Sequence, residues 1–399
     1  MAQIFSITNL TTTYWCMRKP ATLKQVKNLP IGLDGLSCEK FEQKIELHLA
    51  EISRKIENKT YTFAPLLELE RSKSNGGVRR LFIPRLRDQI VLKVVHNAII
   101  DTAKEKNIPL YQKTPYEVVT NFDEESKRHK NPWILRTDIT SFYDSIPRKE
   151  LLDLFDSLNP NPIVSYLLHE WSSQLKTRKG YAWGKESETT FPGLPQGLSI
   201  STPLSELWAT QIDNEYKNNT NYFRYVDDIA LICESKEAAE LELEKLQQIV
   251  HNLGLKLSPT KTIISQLSSG VEWLGMKHYD TKKEVNPDKI KNWLKPFVRL
   301  KREAILAIVE AEGVDKKVLL NRYIKKIEKQ INGKYANRIR WYALGEDHGQ
   351  WKYADKLIHE MIRSVCRIAA IDSNTIKKLP SVHANITKYK KIRSHQNAV

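Results

Sequence analysis

Apolar residues recur every three or four positions in some stretches of the chain and cluster in short runs in others. Phe41, Ile45, Leu49, Ile52 and Ile56 fall at steps of four, four, three and four, which predicts one helix over 38–58. A second helix is predicted over 88–103, and a third from KELLDLFDSL, with Pro147 in a first turn that tolerates it. Ala239, Leu243, Leu246, Val250 and Leu253 mark a fourth, closed by Gly254. WILRTDI (133–139) reads as a short buried strand. YFRYV and IALIC are β-favouring runs separated by two residues, Asp227 and Asp228, which is hairpin spacing. KSNGGVRRLFIP (73–84) reads as a turn between extended segments, 176–190 as a polar loop, and FPGLPQGLSISTPLSELWATQI as a turn feeding a helix. LKLSPTKT and VEWLGM read as short strands. Beyond about residue 285 the pattern turns helical: Leu320, Ile324, Ile327 and Ile331 form an apolar stripe, and Arg322, Lys325, Lys326 and Lys329 a basic one. The order predicts an α+β body followed by an all-α domain.

Charge changes this picture. The chain of 399 residues is long enough for two or three domains and carries a net charge of +16. Residues 281–399 hold 27 Lys and Arg against 12 Asp and Glu, and the rest of the chain is almost neutral. An excess so lopsided points to a polyanion gripped by the C-terminal third rather than to a solvated face alone. No apolar run approaches the ~18 residues of a membrane span. The N-terminal MAQIFSITNLTTTYW has no basic stretch ahead of an apolar core, so neither a span nor a secretory signal is expected. Cys16, Cys38, Cys233 and Cys366 lie far apart with no CxxC pair, which argues against a zinc ribbon or disulfide framework and suits a reducing cytoplasm.

The candidate chemistry lies in three aspartates. Adjacent Asp227 and Asp228 at a hairpin tip suit a turn, since Asp tolerates left-handed backbone. Yet two-residue hairpin turns favour Gly or Asn, and two neighbouring carboxylates repel, a cost that a divalent cation offsets. Asp138, which ends the strand WILRTDI, is the candidate third ligand. Two-metal sites hold their ions ~4 Å apart, and Mg²⁺ favours hard carboxylate oxygens. Asp144, just before Ile146-Pro147, suits a turn or helix start and is read as structural.

RTDITSFYDSI (136–146), LPQG (194–197), YVDD (225–228), GLKLSPTKT (254–262) and WLG (273–275) resemble, in order and spacing, the successive palm motifs of reverse transcriptases. KSNGGVRRLFIP resembles their fingers motif, and the resemblance covers roughly residues 65–280. It implies a right-hand polymerase in which a ferredoxin-like palm sheet is followed by a basic, all-α thumb. The expected divisions are an N-terminal helical segment (1–64), fingers with palm entry (65–132), palm with a fingers insertion (133–284), and thumb with C-terminal extension (285–399). The resemblance makes Asp138, Asp227 and Asp228 the ligands of two Mg²⁺ ions, with Mn²⁺ as a substitute. Tyr143 matches the aromatic gate against a 2′-hydroxyl, the alternative being a core tyrosine beside Phe142. Lys73 and Arg79 match triphosphate contacts, with Gly76 and Gly77 freeing their loop, and Gln196 lies near the templating base and incoming nucleotide. Arg80 and Gln89 depart from the proline and arginine often found in related bacterial enzymes. Lys261 matches a general acid toward pyrophosphate, or is a solvent-exposed lysine.

The implied reaction is RNA-directed DNA synthesis from dNTPs, with an RNA template or non-coding RNA and a DNA product as partners, no membrane, and a homo-oligomer left open. For the C-terminal third, Arg322, Lys325, Lys326, Lys329, Arg338 and Arg340 are the expected nucleic-acid contacts, and Trp341 and Tyr342 either stack on nucleic acid or join the thumb core. No His/Cys cluster follows the polymerase motifs, as it does in many group II intron proteins. Asn97-Ala98 is followed by IID, and there is no VTG triplet, unlike retron enzymes; the LPQG box that diversity-generating enzymes alter is intact. The remaining resemblance is to stand-alone bacterial enzymes of phage defence, of the unknown-group and abortive-infection types. Alternatives are a retron-like enzyme, a protein-primed or untemplated polymerase, and a polymerase fold kept as an RNA-binding scaffold.

Overall fold

The computed structural model describes residues 2–19, 26–72, 77–110, 114–159, 161–179, 189–312, 315–332, 348–376, 379–382 and 384. Lys73, Gly76, Arg338, Arg340, Trp341 and Tyr342, singled out above, lie outside the described residues.

The N-terminal part holds helices α1 (Ile7–Arg18), α2 (Cys38–Glu42) and α3 (Ile45–Glu57). The single helix expected over 38–58 is thus broken at Gln43 and Lys44, with Lys44 at φ −134°. The apolar face survives the break, since Phe41, Leu49, Ile52 and Ile56 are all buried. Glu42, the last residue of α2, accepts hydrogen bonds from Tyr14 (2.7 Å) and the buried Arg18 (2.8 Å). The pairing satisfies the buried Arg18 cation.

Strands β1 (Leu66–Ser72) and β2 (Val78–Ile83) form an antiparallel hairpin. They are followed by α4 (Leu86–Glu105) and by α5 (Pro115–Ser126), which opens with a Thr114–Glu117 capping box. Next come β3 (Trp133–Asp138), α6 (Phe142–Ser145), α7 (Arg148–Leu158) and α8 (Pro162–Ser173). The segment expected as a polar loop contains β4 (Lys176–Lys179) and β5 (Thr189–Thr190), giving a sheet of order β2-β1-β4-β5. The open edge of β1 pairs with β4, and buried Thr177 donates to Glu68 (3.2 Å), so sequence polarity is a poor guide here.

After α9 (Ser201–Glu215) come β6 (Tyr222–Tyr225), β7 (Asp228–Cys233), α10 (Lys236–Asn252) and β8 (Ile263–Gln266). With β3 these strands form an antiparallel sheet of order β6-β7-β3-β8. Period-two alternation divides its faces. Leu135, Ile229, Leu231 and Cys233 join the main core with α10, whereas Ile134, Phe223, Ala230 and Ile232 pack with α5 around Phe122 and Trp273. LKLSPTKT is not the expected strand: it makes only an Ile139–Leu257 bridge, and its Ser258–Lys261 turn delays the strand to Ile263. VEWLGM is a hairpin rather than one strand. β9 (Val271–Trp273) and β10 (Met276–His278) flank Leu274 and Gly275, both at positive φ, and β11 (Lys283–Val285) completes that sheet.

Helices α11 (Pro287–Val309), α12 (Lys316–Asn332) and α13 (His348–Ala369) enclose a separate core around Phe297, Ile327 and Trp351. Met276 and Val285 belong to that core too, so the β9–β11 sheet links the helical part to the body. The architecture is α+β. No helix among the described residues is long and apolar enough to cross a membrane.

Candidate metal centre

The β3–β7 register sets Asp138 directly opposite Asp228. On that same face, Ile134, Ala230 and Ile232 give way to Arg136, Asp138 and Asp228, so an apolar surface turns charged at one end of the sheet. The turn between β6 and β7 is made by Val226 and Asp227, because Tyr225 pairs with Asp228. Asp228 is therefore a strand residue, not a turn residue as the spacing suggested. Val226 sits at φ +59°, as at the first position of a type II′ turn, where a β-branched residue is strained. The paired strands over-determine that conformation.

Carboxylate oxygens of Asp138, Asp227 and Asp228 lie within 4.8 Å of one another. Asp227 is bound on its C-terminal side, where its carbonyl accepts from Ile139 N (3.0 Å), and the Asp138 carbonyl accepts from Ser258 N (2.7 Å). Burial, then the charges of Asp138 and Asp228, push the Asp227 carboxyl up to about 6. Burial raises Asp228 as well, against the pull of Arg136 at 3.7 Å. Lys261 is half-exposed, and its Nζ donates to Asp138 Oδ2 at 2.6 Å. Three hard oxygen donors crowded together, with the Asp227 and Asp228 carboxyls pushed up, fit divalent-metal chemistry. The same crowding without a cation only costs free energy.

Around this cluster, Phe142 is buried whereas Tyr143 is half-buried beside it, with ring centroids 5.7 Å apart. The Tyr143 carbonyl accepts from Leu194 N (2.7 Å), and a Cβ at Gly193 would collide with the carbonyl oxygens of Tyr143 and Asp144. Gln196 is half-buried, and its carbonyl accepts from Phe82 N of β2 (2.8 Å). The LPQG turn is thereby stitched to both the Tyr143 segment and the β1–β2 hairpin. Arg79 is exposed on β2, one residue from Arg80 and hence on the opposite face. Arg80 pairs with Asp144 at 3.0 Å and lies over the Phe191 ring. Asp144 therefore has a partner that the sequence did not disclose.

Two more residues escaped the sequence reading. One is Arg136, which reaches Asp228. The other is the nearly buried Arg224, which makes a fork with Asp213 (2.8 and 2.6 Å) and reaches Glu206 Oε2 (3.2 Å) and the Val226 carbonyl (2.9 Å). The available signal was an arginine inside each apolar strand, which demands a counter-ion. On α12, Arg322, Lys325, Lys326 and Lys329 are exposed on the side opposite buried Leu320, Ile324, Ile327 and Ile331, and with Val318 and Asn321 they line a cavity of about 410 Å³.

Residues 71–278 match the family described as reverse transcriptase (RNA-dependent DNA polymerase). The chain belongs to that family. It carries a reverse-transcriptase catalytic domain with an acidic site typical of nucleotidyltransferases. It is 24% identical over 210 residues to an uncharacterized 91 kDa protein in cob intron of Schizosaccharomyces pombe, covering 50% of this chain and 24% of that protein. It is 22% identical over 292 residues to protein YkfC of Escherichia coli, covering 61% of this chain and 74% of that protein. The chain thus spans about a quarter of the fission-yeast relative. A solved structure of telomerase from Candida albicans with an RNA fragment aligns at a TM-score of 0.47 and 9% identity, over 88% of this chain and 72% of that one.

Proposed function

We propose that this chain is an RNA-directed DNA polymerase that adds dNTPs at the Asp138–Asp227–Asp228 cluster with two Mg²⁺ ions, for which Mn²⁺ can substitute. The observation that carries the reading is the convergence of three carboxylates within 4.8 Å inside the segment matched to the family. Ions bound there supply activation of the attacking 3′-oxygen and charge stabilisation at the leaving oxygen. The chain's own groups do the rest. Asp138, Asp227 and Asp228 are the ligands. Tyr143 closes the sugar pocket against a 2′-hydroxyl, Gln196 supports the nascent pair, and Lys73 and Arg79 contact the triphosphate, which the Arg79 guanidinium can clamp bidentately. Lys261, already at the cluster, donates a proton to the leaving pyrophosphate.

In this reading residues 65–132 are fingers, 133–284 palm and 285–399 thumb with its extension, behind an N-terminal helical segment of 1–64. The βαββαβ chain order around the β6-β7-β3-β8 sheet supports a ferredoxin-like palm. Arg322, Lys325, Lys326 and Lys329 of α12 track the template–product duplex by its backbone. We place the enzyme in the bacterial cytoplasm, among phage-defence enzymes working with a non-coding RNA. That placement rests on the motif pattern, and sequencing nucleic acid copurified with the protein tests it. The polymerase reading is tested by primer extension on an RNA template with dNTPs and Mg²⁺. Wild type extends the primer and Asp227→Asn does not; equal extension by both would remove the assignment.

A further inference from the structure

Arg224 lies next to the YVDD turn in sequence but points away from the carboxylate cluster, toward helix α9. Its side chain is 7% exposed, and Nε and Nη2 form a fork on Asp213. Nη1 donates both to Glu206 Oε2 at 3.2 Å and to the Val226 carbonyl at 2.9 Å. Tyr222 also donates to Asp213 (2.9 Å), fixing the carboxylate that receives the fork. The Val226 carbonyl belongs to the peptide unit that enters Asp227, and Val226 is the strained residue of the turn at φ +59°. The peptide unit leaving Asp227 is held independently, by Ile139 N on the Asp227 carbonyl at 3.0 Å. Asp227 is therefore gripped on both sides, by Ile139 just past strand β3 after it and by Arg224 before it. Its side chain sits among like charges that would push it outward if the turn could relax.

We propose that Arg224 is a positioning residue: braced by Asp213 and Glu206, it holds the strained Val226–Asp227 turn so that the three carboxylates converge before any cation binds. The inference rests on the metal-centre reading above. It also ties the metal turn to α9, the helix that grows out of the LPQG turn, so that the two are set by one rigid element.

The test compares full-length wild type with Arg224→Gln and Arg224→Lys. Mn²⁺ affinity is read from the electron paramagnetic resonance of the free ion, and kcat, dNTP KM and duplex Kd from single-nucleotide extension. For Arg224→Gln we expect Mn²⁺ affinity and kcat each to fall about tenfold or more, with dNTP KM and duplex Kd within about twofold of wild type. Arg224→Lys keeps the charge but not the fork and should fall between. A folded Arg224→Gln with wild-type Mn²⁺ affinity and kcat overturns the proposal. So does a loss confined to melting temperature.

If Arg224→Gln does not fold, Glu206→Gln, which removes one brace and leaves the fork, carries the same expectation at smaller size, and no change in Mn²⁺ affinity there also overturns it. Val226→Gly relieves the strain, so adding it to Arg224→Gln should recover part of the missing affinity. If wild type binds Mn²⁺ and Asp227→Asn does not, yet no primer is extended, the polymerase reading fails while the positioning role is still decided by Mn²⁺ affinity.

Discussion

The Val226–Asp227 turn and the basic face of α12 both concentrate charge, and they do so in opposite ways. At the turn, three carboxylates are drawn together at the end of a buried sheet, and Asp227 and Asp228 are raised toward neutrality by burial and mutual repulsion. On α12, four cations are spread along an exposed helix face, and among the described residues only Lys326 lies near a carboxylate, Glu303 at 3.9 Å. In the first place each charge is held by register, turn strain and backbone hydrogen bonds, so a small displacement changes every interaction. In the second, water screens each lysine from the next and contributions add almost independently. The difference teaches that similar numbers of charged residues can make a site that depends on geometry or a surface that depends only on count.

The sharpest way to break the comparison is at the turn. Asp227→Asn with Asp228→Asn should lower nucleotide incorporation by about 10³-fold or more, as removal of several kcal/mol of charge stabilisation implies, measured by primer extension. On the helix, replacing Lys325, Lys326 and Lys329 together by alanine should weaken duplex binding on the order of tenfold to a hundredfold at low salt. The log–log salt slope should become shallower by about 0.9 for each phosphate no longer neutralised. A slope that does not move would make that face merely solvated. A smaller effect is expected for Tyr143→Ala, which should raise rNTP relative to dNTP use on the order of tenfold, read as a ratio of kcat/KM values. An unchanged ratio would take Tyr143 out of the gate.

The smallest effect concerns the joint between α5 and the β9–β11 sheet. Burial pushes Asp123 up, but hydrogen bonds and charge from His278 and Lys283 outweigh it and hold the carboxyl below its usual range. A carboxyl depressed in the folded state stabilises the protein fully above its unfolded pKa, about 3.9, and that contribution disappears as pH falls through the lower folded value. Denaturant melts between neutrality and strong acid should therefore show Asp123→Asn less stable than wild type at neutral pH. The two should converge in acid. A constant difference across that range would remove the linkage.

By itself the sequence was sufficient for whatever depends on neighbours along the chain. Periodicity placed β3, β6, β7 and α10 close to their observed limits, and Gly254 beyond α10 because only its positive φ suits that exit. Motif order was enough to single out Asp138, Asp227 and Asp228 as a group. It misjudged the turn by one residue, because a hairpin of fixed loop length can close around either pair, and only the Tyr225–Asp228 pairing chose Val226 and Asp227. It also could not provide partners. Arg80 meets Asp144, Lys261 meets Asp138, and Arg224 meets Glu206 and Asp213 across strand and helix packing rather than along the chain. Which buried charges face one another is decided by strand order and register, and those are settled by how two sheet faces bury their apolar residues together.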